Sequence, residues 1–82
     1  MNWFVYIVKA RDGSLYTGIS NNVERRVKEH NNKKGSKSLL GKLPVTLVYT
    51  EKLANRKTAT KRELEIKHLK REEKIQLVLT GR

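Results

Sequence analysis

The chain has 82 residues, which predicts a single domain over residues 1–82 with a modest core and leaves no room for a second domain. It has no cysteine, which excludes a disulfide framework and a thiolate metal site and suits a cytoplasmic protein. Its 19 lysines and arginines against 8 acidic residues give a net charge of +11, which favours a polyanionic partner over a charge that only aids solubility.

A β-hairpin is predicted at the N-terminus. Residues 3–8 are aromatic or β-branched and form the first strand, Asp12 and Gly13 supply a turn signal, and Leu15–Ser20 forms the second strand. The first apolar run is too short to span a membrane, and no basic leader accompanies it. We therefore expect no membrane association.

The hairpin carries two tyrosines whose positions suggest a site. Because side chains alternate across a strand, Tyr6 shares a face with Val8, and Tyr16 shares a face with Gly18. If the strand register joins these faces, both phenols project from one surface. Gly18, which has no side chain, is then expected to leave open space beside them. A pocket is predicted at this place.

The first helix is predicted over residues 23–30, with Asn21 or Asn22 as its cap. At 100° per residue, Arg26 and His30 fall on the same stripe as two valines and so face inward. An ordinary amphipathic helix would have leucine or isoleucine at both positions. A guanidinium and an imidazole one turn apart on the packing side therefore indicate a functional site.

Residues 31–38 are polar and basic, and they predict a flexible loop before a third strand over residues 45–50. Four lysines in or beside this loop are predicted to contact nucleic acid: Lys33, Lys34, Lys37 and Lys42. A mobile loop beside the tyrosines would close over a phosphate backbone. A solvated connector is the alternative, because lysine-rich loops are common on protein surfaces.

A second long helix follows Asn55 and carries Glu63 in the middle of its apolar arc. A carboxylate in such a place is rare unless it is paired or binds a metal. Residues 75–79 predict a short apolar helical turn that Gly81 ends. The predicted fold is α+β, with a three-stranded antiparallel sheet flanked by helices in the order β-β-α-β-α-α.

These features resemble the GIY-YIG nucleases, and in particular their small stand-alone bacterial members, over nearly the whole chain. The matching positions are the tripeptides at residues 5–7 and 16–18 and the side chains Arg26, His30 and Glu63. Val5 stands where the name motif has glycine, and Thr17 stands where it has isoleucine. No asparagine follows Glu63, although many catalytic members of the family carry one there.

The resemblance implies a metal-dependent endonuclease acting on DNA. It assigns five catalytic residues: Tyr6, Tyr16, Arg26, His30 and Glu63. Glu63 would hold one divalent cation, Mg²⁺ or Mn²⁺, since the other carboxylates are scattered. Arg26 offers a planar donor that matches phosphate. One tyrosine would take the proton of the attacking water, but the spacing does not say which one, and we hypothesise that it is Tyr6.

Several alternatives stay open at this point. Either tyrosine alone, or His30 alone, is more often a packing residue than a reactive one, and Arg26 could form a structural ion bridge with Glu63. A catalytically weak or inactive nucleic-acid-binding module would share the fold and the basic surface, and a structural protein with an acidic partner is a third class. The sequence leaves open the choice between DNA and RNA and the oligomeric state.

Overall fold

Three antiparallel strands and three helices make up the fold. A computed structural model describes residues 2–81 of the chain. The strands are β1 (Trp3–Lys9), β2 (Leu15–Ser20) and β3 (Thr46–Leu53), and the helices are α1 (Val23–Asn31), α2 (Arg56–Lys67) and α3 (Arg71–Thr80). A 3-10 helix spans Lys37–Lys42, between α1 and β3. The predicted α+β fold and its element order are confirmed.

The sheet places β1 in the middle, in the order β2-β1-β3. In the antiparallel register of β1 and β2, Tyr6 lies opposite Gly18 and Val8 lies opposite Tyr16. Residues opposite each other in a sheet project from the same face. The register therefore puts both tyrosines on one face.

Both faces of β1 are covered, which explains why its sequence is apolar without alternation. On one face, strand and helix residues form a buried cluster: Val5, Ile7, Tyr49, Ala59, Ile66 and Leu77. On the other face, Tyr6 and Val8 are buried together with Leu39 and Val45, and α1 packs two valines against them. The two tyrosines belong to this second face, which also carries α1 and the 3-10 helix.

Side-chain caps fix where the helices begin. Of the two candidate caps for α1, Asn22 is the one used, and its side-chain oxygen accepts a hydrogen bond of 3.1 Å from the backbone N–H of Arg25. Asn55 caps α2 in a reciprocal capping box with Thr58. These caps hold the helices that carry Arg26, His30 and Glu63.

The third strand and the last helix extend well beyond their predicted ends. The third strand runs to Leu53, and the last helix has 10 residues. The first turn of α3 has no apolar periodicity, and its start is marked by Glu73, whose carboxylate accepts a 2.8 Å hydrogen bond from the backbone N–H of Lys70. Gly81 ends the helix as predicted, in the left-handed conformation at φ +74°.

The predicted open space beside Gly18 is wrong, because the phenol of Tyr6 fills it. A Cβ atom added at Gly18 would lie 2.6 Å from the Tyr6 hydroxyl oxygen and 2.7 Å from the ring carbon that bears it. Gly18 is thus needed so that Tyr6 can lie flat across β2. The site is a packed cluster of side chains at this point and not a cavity.

We expect Gly18→Ala to destabilise the protein by about 1–3 kcal/mol, the usual cost of overpacking a filled site. Gly41→Ala is the matched control, because an added Cβ at Gly41 would meet no atom within 4 Å and its φ is not positive. Urea denaturation of the two variants measures the difference. Equal free energies of unfolding would show that Tyr6 is not confined by Gly18.

Candidate active site

The core of the site is a buried hydrogen bond between the middle of β1 and the end of α1. The Tyr6 hydroxyl lies 2.8 Å from Nε2 of His30. Both side chains are only 1% exposed. The inward position predicted for His30 therefore brings its ring into direct contact with Tyr6.

The protonation of the His30 ring follows from its second contact. The backbone N–H of Ser36 donates a 3.2 Å hydrogen bond to Nδ1 of His30. A backbone N–H can only donate, so Nδ1 carries the lone pair and the ring proton is on Nε2. His30 Nε2–H is then the donor to Tyr6, and the tyrosine oxygen is the acceptor.

Arg26 is the second polar neighbour of Tyr6, and it carries a positive charge. Its interaction with the Tyr6 hydroxyl lowers the pKa of Tyr6. Its Nη1 also lies 3.0 Å from Oε1 of Glu29, and the Arg26 side chain is 35% exposed. The alternative that Arg26 bridges to Glu63 is wrong, because Glu29, on its own helix, is the carboxylate that it pairs with. The partly exposed guanidinium keeps donors free for a ligand.

Tyr16 borders the same cluster from β2. Its ring meets the His30 ring edge to face, with centroids 5.5 Å apart and planes at 71°. Unlike Tyr6, it is only partly buried. The two phenols therefore differ in setting, and Tyr16 is the more accessible to a ligand from solution.

Glu63 lies on α2, and its link to the cluster is the effect of its charge on Tyr6. Its side chain is 17% exposed and pairs with Lys67 one turn later, with Nζ and Oε2 3.6 Å apart. Its charge acts on Tyr6 and raises the pKa of the phenol. The carboxylate is therefore not turned into solvent, and it lies close enough to the phenol to affect its proton.

Burial is the main reason that the pKa of Tyr6 is raised from 10.0 to about 12. The neighbouring Tyr16 and the charge of Glu63 raise it further, and Arg26 lowers it through a hydrogen bond and its charge. The phenol of the free protein is consequently protonated at neutral pH.

The pKa of His30 is lowered from its ordinary value of 6.5, first by burial and then by the charge of Arg26, with Glu29 acting in the opposite direction. The imidazole is therefore neutral at pH 7. This agrees with the hydrogen bonds, since the cationic ring would turn Nδ1–H towards the N–H of Ser36.

We expect stability to fall as the pH drops below 6.5, the ordinary histidine value. Because the folded pKa of His30 is lowered, the unfolded chain binds the proton first, so the stability present above that value is lost as the pH approaches the folded pKa. Urea denaturation between about pH 7.5 and pH 5.5, above the range where carboxylates titrate, measures this loss. His30→Gln, which does not titrate, should show a much flatter dependence, and His68→Gln should behave like the unchanged protein. The same slope in His30→Gln would contradict the assignment.

The basic loop, which its composition predicts to be flexible, makes defined contacts with the rest of the protein. The side-chain amide of Asn31 closes it by accepting from the Val45 N–H at 2.7 Å and donating to the Val45 carbonyl at 3.1 Å. Leu39 is buried in the core beneath it. In the middle of the loop, the backbone N–H of Ser36 donates to His30. The loop is thus docked on the site at three places.

Three of the four predicted nucleic-acid lysines, Lys33, Lys34 and Lys37, are exposed on this loop. Lys42 is paired with Asp12 across 3.7 Å. The sequence reasoning missed Gly35, Ser36 and Asn31, which hold the loop against His30. Their residue types are those of any polar loop, so no local pattern marked them.

Among the candidate site residues, the carboxylate of Glu63 is the group whose chemistry suits a divalent cation. Within residues 2–81, no group of three or more histidine, aspartate and glutamate side chains is placed to hold a metal ion. A lone carboxylate such as Glu63 suits Mg²⁺, which keeps several waters and takes further oxygens from a phosphate substrate. The partner now on Glu63 is the exposed ammonium of Lys67, which can swing away.

Comparison with known proteins identifies the family. A model of the GIY-YIG catalytic domain matches residues 2–76. The UPF0213 protein CPE1444 of Clostridium perfringens is 51% identical over 75 residues, which are 92% of this chain and 81% of that protein. The solution structure of the UPF0213 protein BH0048 from Bacillus halodurans is similar with a TM-score of 0.63 and 45% identity, over 99% of this chain and 87% of that one. The solution structure of the protein EF2693 from E. faecalis gives a TM-score of 0.66 and 38% identity, over 99% and 86%.

The chain therefore belongs to the GIY-YIG family, a nuclease superfamily. Such a domain implies a nucleic-acid substrate, and its nucleases generally use divalent metal ions. Across residues 2–81, no helix has the length and apolar content needed to cross a membrane.

Proposed function

We propose that this protein is a metal-dependent endonuclease that hydrolyses phosphodiester bonds of DNA in the cytoplasm, in DNA repair or processing. The observation that carries the proposal is the setting of the Tyr6 oxygen. His30 Nε2 lies 2.8 Å from it and donates to it, and the Arg26 guanidinium, which can only donate, lowers the pKa of the phenol through a hydrogen bond and its charge. Groups that only donate stabilise a phenolate. The Tyr6 oxygen is thus arranged to accept a proton.

Each side chain then has one task in the hydrolysis. Tyr6 as phenolate takes a proton from water while the water oxygen bonds to phosphorus and the bond to the leaving oxygen breaks, with that oxygen protonated from solvent. Arg26 donates to the non-bridging phosphate oxygens. Tyr16, the more accessible phenol, positions the phosphate or the water. Glu63 would hold Mg²⁺ or Mn²⁺, which supplies positive charge for the phosphate and the leaving oxygen.

The pKa of Tyr6 is raised mainly by burial, but one smaller cause, the charge of Glu63, can be removed by a ligand. At a pKa of about 12, roughly one phenol in 10⁵ is ionised at pH 7. The charge of Glu63 is one cause of that pKa, so neutralising this carboxylate lowers it. A larger fraction of Tyr6 is therefore ionised when Glu63 has a cationic ligand.

The basic loop would contact the DNA backbone. Replacing Lys33, Lys34 and Lys37 by alanine should weaken duplex binding and make the slope of log K against log salt shallower by up to about 2.7, at about 0.9 for each lost phosphate contact. The matched control replaces three exposed lysines of β3 and α2, Lys52, Lys57 and Lys61. Fluorescence anisotropy over a salt series measures both slopes. Equal changes in the two triple variants would mean that the loop is not a preferred contact.

A plasmid assay tests the function itself. Supercoiled DNA is incubated with Mg²⁺ or Mn²⁺, with and without a chelator, and separated on a gel. We expect metal-dependent nicking that the chelator abolishes. RNA of similar length, run in parallel, tests the choice of nucleic acid.

The rival function is a nucleic-acid-binding module of the same fold without turnover. The charge of +11 and the exposed lysines of the loop serve it equally well. It predicts a plasmid that is retarded on the gel but stays intact with either metal. That outcome would overturn the endonuclease proposal and leave the binder.

A further inference from the structure

The backbone at Gly35 and Ser36 lies directly against the edge of the His30 ring. A Cβ atom added at Gly35 would overlap the ring at Nδ1. The next residue directs its backbone N–H to the same nitrogen, at 3.2 Å. A glycine is therefore required at position 35 for Ser36 to make this hydrogen bond.

The hydrogen bond from Ser36 decides whether His30 or Tyr6 is the donor in the Tyr6–His30 hydrogen bond. A neutral imidazole has one donor and one acceptor nitrogen. With the proton on Nε2, His30 donates to the Tyr6 oxygen. With the proton on Nδ1, His30 would face the N–H of Ser36 donor to donor, and Tyr6 would have to donate to Nε2, which disfavours the phenolate. The amide of Ser36 permits only the first arrangement.

The surrounding structure holds this amide in place. The Ser36 side chain caps the 3-10 helix and accepts from the N–H of Ser38 at 3.3 Å. Leu39, in that helix, is buried at 3% exposure beside Tyr6. Asn31 closes the loop through its two hydrogen bonds to Val45. The donor is therefore placed before any ligand arrives.

We propose that Gly35 and Ser36 form a positioning element for the reaction, in which the backbone N–H of Ser36 holds His30 in its Nε2–H form so that the Tyr6 oxygen is the proton acceptor. The catalytic meaning rests on the proposed function. The tautomer itself is a property of the folded protein without DNA or metal. The lysines of the same loop contact the DNA in the proposed function, so one segment both binds the substrate and orients the base.

Nitrogen-15 NMR of the full chain with labelled histidine tests the proposal, because long-range proton–nitrogen couplings show which ring nitrogen carries the proton. Ser36→Pro removes the donor and is compatible with the φ of −65° at Ser36, but its ring carbon would overlap Nδ1, so this part of the loop must also move off the ring. Ser36→Ala is the matched control, which loses the hydroxyl cap and keeps the N–H. His68, exposed and outside the site, is an internal reference in every spectrum.

We expect the Nε2–H form alone for His30 in the unchanged protein and in Ser36→Ala. In Ser36→Pro the Nδ1–H form should appear, and the pKa of His30 should rise because no donor competes for the Nδ1 lone pair. Cleavage by Ser36→Pro should fall about a hundredfold, by the mechanism through which a wrong tautomer disables a catalytic histidine. Gly35→Ala, which pushes the loop off the ring, should change the spectrum in the same direction and serves if the proline variant does not fold.

An Nδ1–H form in the unchanged protein would overturn the proposal, and so would an unaltered His30 spectrum in folded Ser36→Pro or Gly35→Ala. If the tautomer changes as expected but neither the unchanged protein nor any variant cleaves DNA, the role of Gly35 and Ser36 in positioning His30 is supported and the proposed endonuclease activity is contradicted. The two failures are thus separated by one set of samples.

Discussion

Tyr6→Phe is expected to reduce DNA cleavage by about 10²–10⁴-fold, the usual contribution of a general base, with little effect on DNA binding. The substitution removes the oxygen that accepts from His30 Nε2 at 2.8 Å and leaves the ring in place. Single-turnover cleavage and binding anisotropy of the same preparations measure the two quantities. Near-normal cleavage by Tyr6→Phe would mean that Tyr6 is not the base.

Tyr49→Phe provides the control for the loss of a buried hydroxyl. Tyr49 is also buried, and its hydroxyl donates to Oε1 of Glu51 at 2.8 Å, but this pair lies outside the site. Both variants should lose about 1–3 kcal/mol of stability through a disrupted hydrogen bond. Only Tyr6→Phe should lose cleavage, so the comparison separates chemistry from folding.

The pH dependence gives the base a second signature. Because the pKa of Tyr6 is raised to about 12, the ionised fraction of the phenol should grow about tenfold per pH unit from pH 6 upwards. The cleavage rate should rise with it and level off at the pKa that Tyr6 has in the complex with metal and DNA. Fluorotyrosine in place of tyrosine, which has a more acidic phenol, should move this rise to lower pH. Tyr16→Phe, with Tyr6 intact, should keep the rise at a lower overall rate.

Glu63→Gln is expected to abolish metal-dependent cleavage, by about a thousandfold or more, since a metal ion contributes several kcal/mol of transition-state stabilisation. The amide keeps the shape of the side chain and removes the charge. The expected change in the pKa of Tyr6, by contrast, favours its role as the base. Because the charge of Glu63 raises the pKa of Tyr6, the variant should lower that pKa, which NMR or ultraviolet titration measures.

A loss of cleavage together with a more acidic Tyr6 would show that Glu63 acts through the metal and not through the base. Glu65→Gln is the control on the same helix, because Glu65 is 56% exposed and pairs with Arg62 instead. It should cleave normally and bind Mn²⁺ as the unchanged protein does. If Glu63→Gln retains cleavage with Mg²⁺, the metal site lies elsewhere.

Much of the fold followed from local sequence patterns. The strands of the hairpin, the turn at Asp12 and Gly13 and the caps at Asn22 and Asn55 are decided by residues that are neighbours in the chain. The start of α3 was missed because its first turn is charged. Its helical state depends on the Glu73 cap and on burial of Leu77 against the sheet.

The candidate site was only partly predictable. That Arg26 and His30 face inward follows from helix geometry, and that Tyr6 and Tyr16 share a face follows from strand alternation once the register is known. The sequence did not predict which carboxylate pairs with Arg26. Glu29, one turn away on the same helix, competes for it with carboxylates on other helices. The sequence also did not predict that the phenol of Tyr6 fills the space beside Gly18, because a glycine alone does not indicate which side chain packs against it.

By itself the sequence determined which residue types face the interior and which elements carry them, since periodicity and capping are local. Only the tertiary structure decided which ring nitrogen of His30 carries the proton. That proton depends on an amide six residues along the chain, at Ser36, which a docked loop brings to 3.2 Å from the ring. Such a contact arises from the packing of the loop on the core, where Leu39 is buried, and the pattern of residues 31–38 does not contain it.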